Sequence, residues 1–115
     1  MTGFAGFGKE TLRFLRELGR NNERAWFEAH RDEYEAHYLA PAISLVEALG
    51  ERLVTIAPAV CFEPRVNGSI FRINRDVRFS KDKTPYKDHI DIWFWEGPDR
   101  KTALSGFFLR IRAES

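Results

Sequence analysis

The sequence predicts an α+β fold, with amino-terminal helices packed on one face of a mainly antiparallel sheet. Three observations carry this. Apolar residues recur at helical spacings through the first half of the chain; Pro41 and Pro58 bracket a further apolar helical run; and from Val60 onward the period falls to two, interrupted by Asn67-Gly68 and Gly97-Pro98 turns. A length of 115 residues makes this one domain, 1–115. Such a chain buries roughly 60–70% of its extended surface, enough for a modest core.

Leu12, Leu15 and Leu18 lie three residues apart, with Gly19 as a helix stop, so residues 9–18 form a short amphipathic helix. Asn21 and Asn22 are candidate caps for the next helix, which begins at Glu23 and buries Phe27, Tyr34 and Tyr38, with Trp26 widening the stripe. Pro41 has no amide hydrogen and clashes inside a helix, so a break or kink is expected near Leu39 to Pro41, with Pro41 in the first turn of a third helix. That helix carries Ile43, Val46, Leu49, Leu53 and Ile56 on one side and ends at Pro58.

The segment 60–74 reads as two strands joined by a two-residue turn at Asn67-Gly68. Counting outward pairs Val66 with Ser69, Arg65 with Ile70, Glu63 with Arg72 and Phe62 with Ile73, while Pro64 confines its strand to an edge or a bulge. HIDIWFWE, residues 89–96, alternates Ile90, Ile92 and Phe94 against Asp91, Trp93 and Trp95. GPDRK is a turn. ALSGFFLRIRAES then places Phe107, Leu109 and Ile111 opposite Phe108, Arg110 and Arg112. No repeat, linker or low-complexity tract interrupts this order.

Composition narrows the function classes. Apolar content of 43% with 30% charged residues describes a folded globular chain, and a net charge of +1 provides no long-range attraction for nucleic acid or anionic membrane. Cys61 is the sole cysteine, which rules out an intramolecular disulfide and a cysteine zinc site and fits a reducing compartment with a buried, inert thiol. The amino terminus has no basic-then-apolar leader and no window is long and apolar enough for a membrane span, so a cytoplasmic location without membrane partners is expected.

The candidate site is RINRDVRFSKDKTPYKDH, residues 72–89, which has neither helical nor strand-like apolar period. Arg72, Arg75, Arg78, Lys81, Lys83 and Lys87 face only Asp76, Asp82 and Asp88. Even with Glu63 added, the acids do not neutralise the cations, so a basic surplus remains on a short loop. Guanidinium forks match phosphate or carboxylate oxygens two at a time, and lysine adds a movable point charge. The expected ligand is therefore a small phosphate- or carboxylate-bearing molecule. Arg75 and Arg78 would be forked contacts, with Arg72 beside them; Lys83 and Lys87 would stabilise charge; Tyr86 would orient the ligand through its hydroxyl; and Asp76 and Asp82 would orient the cations. If a proton moves, Asp82 or Tyr86 would carry it, but no reaction, enzyme class or cofactor is assigned.

Two alternatives stay open. Nucleic acid would use the same cations with Trp93 and Trp95 as stacking faces. Alternatively the loop is purely structural and wired by its own ion pairs, in which case Asp76→Asn should strand interior cations and destabilise the fold. Other constellations are weaker. Ser80-x-x-Lys83 lacks the helix and partners of a serine nucleophile. His30, Glu33 and His37 share a helix face, but among charged neighbours they read as solvated, and no metal site is assigned. His89 has no evident partner.

The residues Asn21-Asn22, Trp26-Phe27 and Tyr34, followed by Arg72, Arg75-Asp76, Arg78-Phe79, Asp82-Lys83 and Tyr86, resemble the bacterial family known as domain of unknown function 2461. The resemblance runs from about Phe4 to Phe108 and implies no activity, since the family's role is itself unassigned. It does imply longer relatives with further strands and helices, so this chain is expected to be a fragment or a truncated relative resembling the amino-terminal half. Phe107, Phe108 and Ile111 would then lack neighbours, and self-association through the last strand is a further expectation.

Overall fold

The computed structural model describes residues 7–101, 103 and 105–113. The readings of residues 1–6, and of Leu104, Glu114 and Ser115 in the last strand segment, lie outside the described residues. Helices come first: α1 (Lys9–Arg20), α2 (Arg24–Ala29), α3 (Arg31–Tyr34), a π-helical turn (Glu35–Leu39) and α4 (Ala40–Ile56). They pack on an antiparallel three-stranded sheet of order β1-β2-β3, formed by β1 (Val60–Cys61), β2 (His89–Glu96) and β3 (Gly106–Arg112).

The α1 helix buries Thr11, Phe14, Leu15 and Leu18, so the stripe is centred one residue away from the leucine-only spacing and Leu12 is only half-buried. It runs past Gly19 to Arg20. Asn21 closes it by donating its amide Nδ2 to the Glu17 carbonyl at 2.9 Å. Neither asparagine caps α2, whose capping position is Glu23. Asn22 instead donates Nδ2 to the Tyr86 carbonyl at 2.7 Å and accepts the Tyr86 N–H at 2.9 Å, tying the helices to a segment 64 residues away.

Phe27, Tyr34 and Tyr38 are buried as the spacing predicts, but the helix is interrupted at His30, whose φ of −116° separates α2 from α3. Pro41 does not break the chain. The backbone widens into the π-helical turn and re-enters α4 with Pro41 in its first turn, and the wider turn accommodates a ring that lacks an N–H. On α4 the buried residues are Ala42, Val46 and Gly50; Ile43, Leu49 and Leu53 are half-buried against the core, while Ile56 is 79% exposed and contributes nothing to it.

Ile90, Ile92 and Phe94 of β2 face the helices and are fully buried. Each large apolar side chain removed from water contributes roughly 1.5–3 kcal/mol, so this row anchors the two layers. Strand β3 pairs along β2 from His89↔Arg112 to Trp95↔Gly106. Phe107 and Phe108 remain 43% and 50% exposed, whereas Ile111 packs against the core.

The expected hairpin at 60–74 does not form. Asn67 takes a positive φ of 66° but Gly68 does not join it, which excludes a type I′ turn, and the Asn67, Gly68 and Ser69 amides donate to the Ile70, Arg65 and Glu63 carbonyls, so Val66 and Ser69 do not close a two-residue turn. Pro64 has no ladder donor, and the Glu63 N–H donates to Ser69 Oγ at 2.9 Å while its carbonyl accepts the Arg65 and Ser69 amides. Residues 69–71 pair with β2 instead, through Trp93 N–H to the Ser69 carbonyl and Phe71 N–H to the Asp91 carbonyl, at 2.8 and 3.0 Å. Glu63 consequently bonds Arg65 at 3.1 Å and does not face Arg72.

Candidate functional site

Residues 72–89 form a β-bridged hairpin. Arg75 N–H donates to the Pro85 carbonyl and Lys87 N–H to the Ile73 carbonyl, both at 2.8 Å, and Asn74 bridges Tyr86 in antiparallel register. The tip, residues 76–84, is wired internally. Arg78 forks onto Asp76, with Nε to Oδ1 at 3.1 Å and Nη2 to Oδ2 at 2.9 Å, on an open surface. That hydrogen bond from the Arg78 side chain, with help from its backbone N–H, pushes the Asp76 carboxyl down to about 2. Lys83 donates Nζ to the Val77 carbonyl at 2.6 Å. Ser80 accepts from the Asp82 amide, so Lys83 does not activate it. Phe79 stands 95% exposed at the tip, with the Arg78 guanidinium 5.7 Å from its ring centroid.

Arg75 is the strut between tip and base. Its Nη1 donates to Thr84 Oγ1 at 2.6 Å and to the Thr84 carbonyl at 2.9 Å, and lies 3.5 Å from Asp82 Oδ2. Asp82 accepts the Thr84 N–H at 3.0 Å, and this backbone bond holds its carboxyl below the usual range. Arg75, Arg78 and Lys83, predicted to converge on one anion, each already donate to an acceptor within the hairpin itself. Tyr86 is also separated from them. It is buried on the helix side, its ring stacked on Phe27 with centroids 4.4 Å apart.

Arg72 and Lys87 lie at the hairpin base, where Lys87 meets Phe71 and the exposed Arg72 is close enough to act on its charge. Lys87 Nζ sits 5.4 Å from the centroid of Phe71, which meets Phe108 edge-on at 6.1 Å. Neither Lys87 nor Arg72 makes a side-chain salt bridge among the described residues. The nearby buried carboxylate is Asp91, 4% exposed, and its oxygens are occupied: Arg110 Nε reaches Oδ1 at 2.7 Å and Nη2 reaches Oδ2 at 3.0 Å, while His89 Nε2 lies 3.3 Å from Oδ2. His89 thus has two carboxylate neighbours, the second being Asp88 at 3.3 Å. Burial lowers the Lys87 pKa; Asp91 opposes that shift, and Arg72 and Arg110 add to it. The result is a partly desolvated ammonium beside two guanidiniums, with one carboxylate already committed.

Phe71, Asp91 and Arg110 escaped the sequence reading of this site. A signal for two of them was present: Asp91 and Arg110 both fall on the outward set of their strands and oppose each other directly in the β2–β3 register. Phe71 joins them only because residues 69–71 pair with β2. Of the two stacking faces expected for nucleic acid, that of Trp95 is 5% exposed and is not offered, while Trp93 is half-buried with its indole N–H donated to the Arg100 carbonyl at 3.4 Å. Among the described residues no helix is long and apolar enough to cross a membrane.

A family model described as "Conserved hypothetical protein (DUF2461)" matches residues 10–115. The chain belongs to that family. No curated protein and no solved structure matches it. The DUF2461 match covers α1 from its second residue, the Asn22–Tyr86 clamp, the hairpin and all three strands, so the helix-to-hairpin tie and the outer-face cluster lie within the matched region.

Proposed function

We propose that the protein binds a small phosphate- or carboxylate-bearing anion on the outer face of the sheet, contacted by Lys87 and Arg72. One observation carries the reading: Lys87 is partly buried among Arg72, Arg110 and Phe71, while the neighbouring Asp91 is already bonded to Arg110 and His89. A partly buried cation whose neighbouring carboxylate is shared with Arg110 and His89 is stabilised by an anion that adds counter-charge. Arg75, Arg78, Lys83, Asp76 and Asp82 act in this reading by keeping the hairpin folded, and Tyr86 by anchoring its base.

The test is a titration with inorganic phosphate, pyrophosphate and citrate, following melting temperature and the Lys87 side-chain resonances. An anion at about ten times its Kd adds roughly 1.4 kcal/mol of stability, which raises the melting temperature of a domain this size by several degrees. The Lys87 pKa should climb back toward that of free lysine, and Lys87→Met with Arg72→Gln should abolish both effects. An unchanged Lys87 titration and melting temperature with all three anions would end the proposal.

A further inference from the structure

A second site, separate from the outer face, lies where the helices meet the hairpin base. A cleft of about 370 Å³ opens between α2–α3 and the hairpin, with Phe27, Ile73, Pro85 and the two phenols Tyr34 and Tyr86 among its walls. That volume falls inside the ~300–1,000 Å³ range of small-molecule pockets. The rim carries Arg24, Glu28 and Arg31 from the helices and Asn74 from the hairpin.

The phenols distinguish this cleft from a surface dent. Tyr34 and Tyr86 are 8% and 5% exposed as residues and both line the cleft, and neither hydroxyl is bonded to another described residue, so both stay open to a guest. Tyr38, in the same aromatic cluster, instead donates its hydroxyl to the His89 carbonyl at 3.1 Å. Burial raises the Tyr34 pKa, which keeps that hydroxyl a protonated donor at neutral pH. Both rings are held rigidly: Tyr86 stacks on Phe27, whose edge meets Tyr34 at 5.2 Å, and Asn22 clamps the Tyr86 backbone from both sides.

The rim sets the charge of the guest. Arg31 is paired with Glu28 at 3.3 Å and lies over the Phe27 ring, whereas Arg24 makes no ion pair or hydrogen bond among the described residues. Two guanidiniums and one carboxylate leave a single positive charge, which suits a monoanionic carboxylate better than a phosphate dianion.

We propose that this cleft binds a small flat organic acid, its carboxylate on Arg24, its ring against Ile73 and Pro85, and a polar ring substituent hydrogen-bonded to Tyr34 and Tyr86. The probe is 4-hydroxybenzoate, titrated into the full chain while the Asn74 and Tyr86 amides and the Arg24 Nε–H are followed by NMR, with inorganic phosphate as comparator. Saturable shifts at these three signals are expected. Arg24→Gln should raise Kd roughly tenfold, and Tyr34→Phe or Tyr86→Phe, which keep the ring packing, roughly three- to tenfold each. Lys87→Met and Arg72→Gln should leave Kd unchanged, which separates this site from the outer-face anion site. The assignment is overturned by an absence of saturable shifts up to about 10 mM, by affinity that survives all three cleft substitutions, or by phosphate binding equally well at the same signals.

Discussion

Two aspartates with the same kind of partner differ in what surrounds them. Asp76 and Asp91 each receive a forked arginine, but the Asp76–Arg78 pair is 50% and 76% exposed at the hairpin tip, whereas the Asp91 side chain is 5% exposed. Solvent and salt screen the first pair and leave the second intact. The expectation that Asp76→Asn strands interior cations is therefore transferred to the other residue. Asp91→Asn, which leaves Arg110 and His89 facing a neutral amide, should cost roughly 1–3 kcal/mol in urea denaturation, while Asp76→Asn should leave the midpoint almost unmoved. The Asp76 carboxyl sits at about 2, below an ordinary Asp near 3.9. Its small stabilising contribution is thus fully present above the ordinary value and lost as pH falls through about 2. A pH titration of the Arg78 Nε–H signal reads this directly: the fork should hold through pH 3–4, where an unperturbed Asp would already be releasing its partner.

At the scale of elements, spacing identified the helices and the two long strands, and neighbours decided where they end. Strand β2 occupies the residues its alternation marks, because β-branched and aromatic side chains on a half-buried face leave few competing conformations. Segment 60–74 went another way, since its Asn-Gly signal is local whereas the hydrogen bonds that outcompeted the hairpin come from β2, about twenty residues downstream. The α4 helix shows a similar dependence. Gly50 reads as a weak point in a helix, yet the Phe62 ring lies over it, and an added Cβ would meet three ring atoms at 2.7 Å. Glycine-to-alanine in a helix interior ordinarily gains up to about 1 kcal/mol. Here Gly50→Ala should lose stability by roughly 1–2 kcal/mol, because the ring must move out of a packed position. A rise in urea midpoint would refute the close approach of Phe62.

At the scale of the whole molecule, a few long-range ties join the helical layer to the hairpin that carries both candidate sites. The clearest is the Asn22 amide, which exchanges two hydrogen bonds with the Tyr86 backbone. Asn22→Ala removes both and should cost about 1–3 kcal/mol, with faster hydrogen exchange at the Tyr86 amide as its local signature and weaker 4-hydroxybenzoate binding in the cleft. The amino-acid sequence by itself determined the α+β class, the aromatic stripe of the helices, the inward row of β2 and the basic surplus of residues 72–89, because periodicity and charge are additive along the chain. Only tertiary structure decided which cations keep that surplus. Arg75, Arg78 and Lys83 find acceptors within their own hairpin, while Lys87, with Arg72 nearby, meets a sheet face whose carboxylate is already engaged. Pairing depends on distance in space, and the fold brings Asp91 and Arg110 together across nineteen positions while it leaves Glu63 turned away from Arg72.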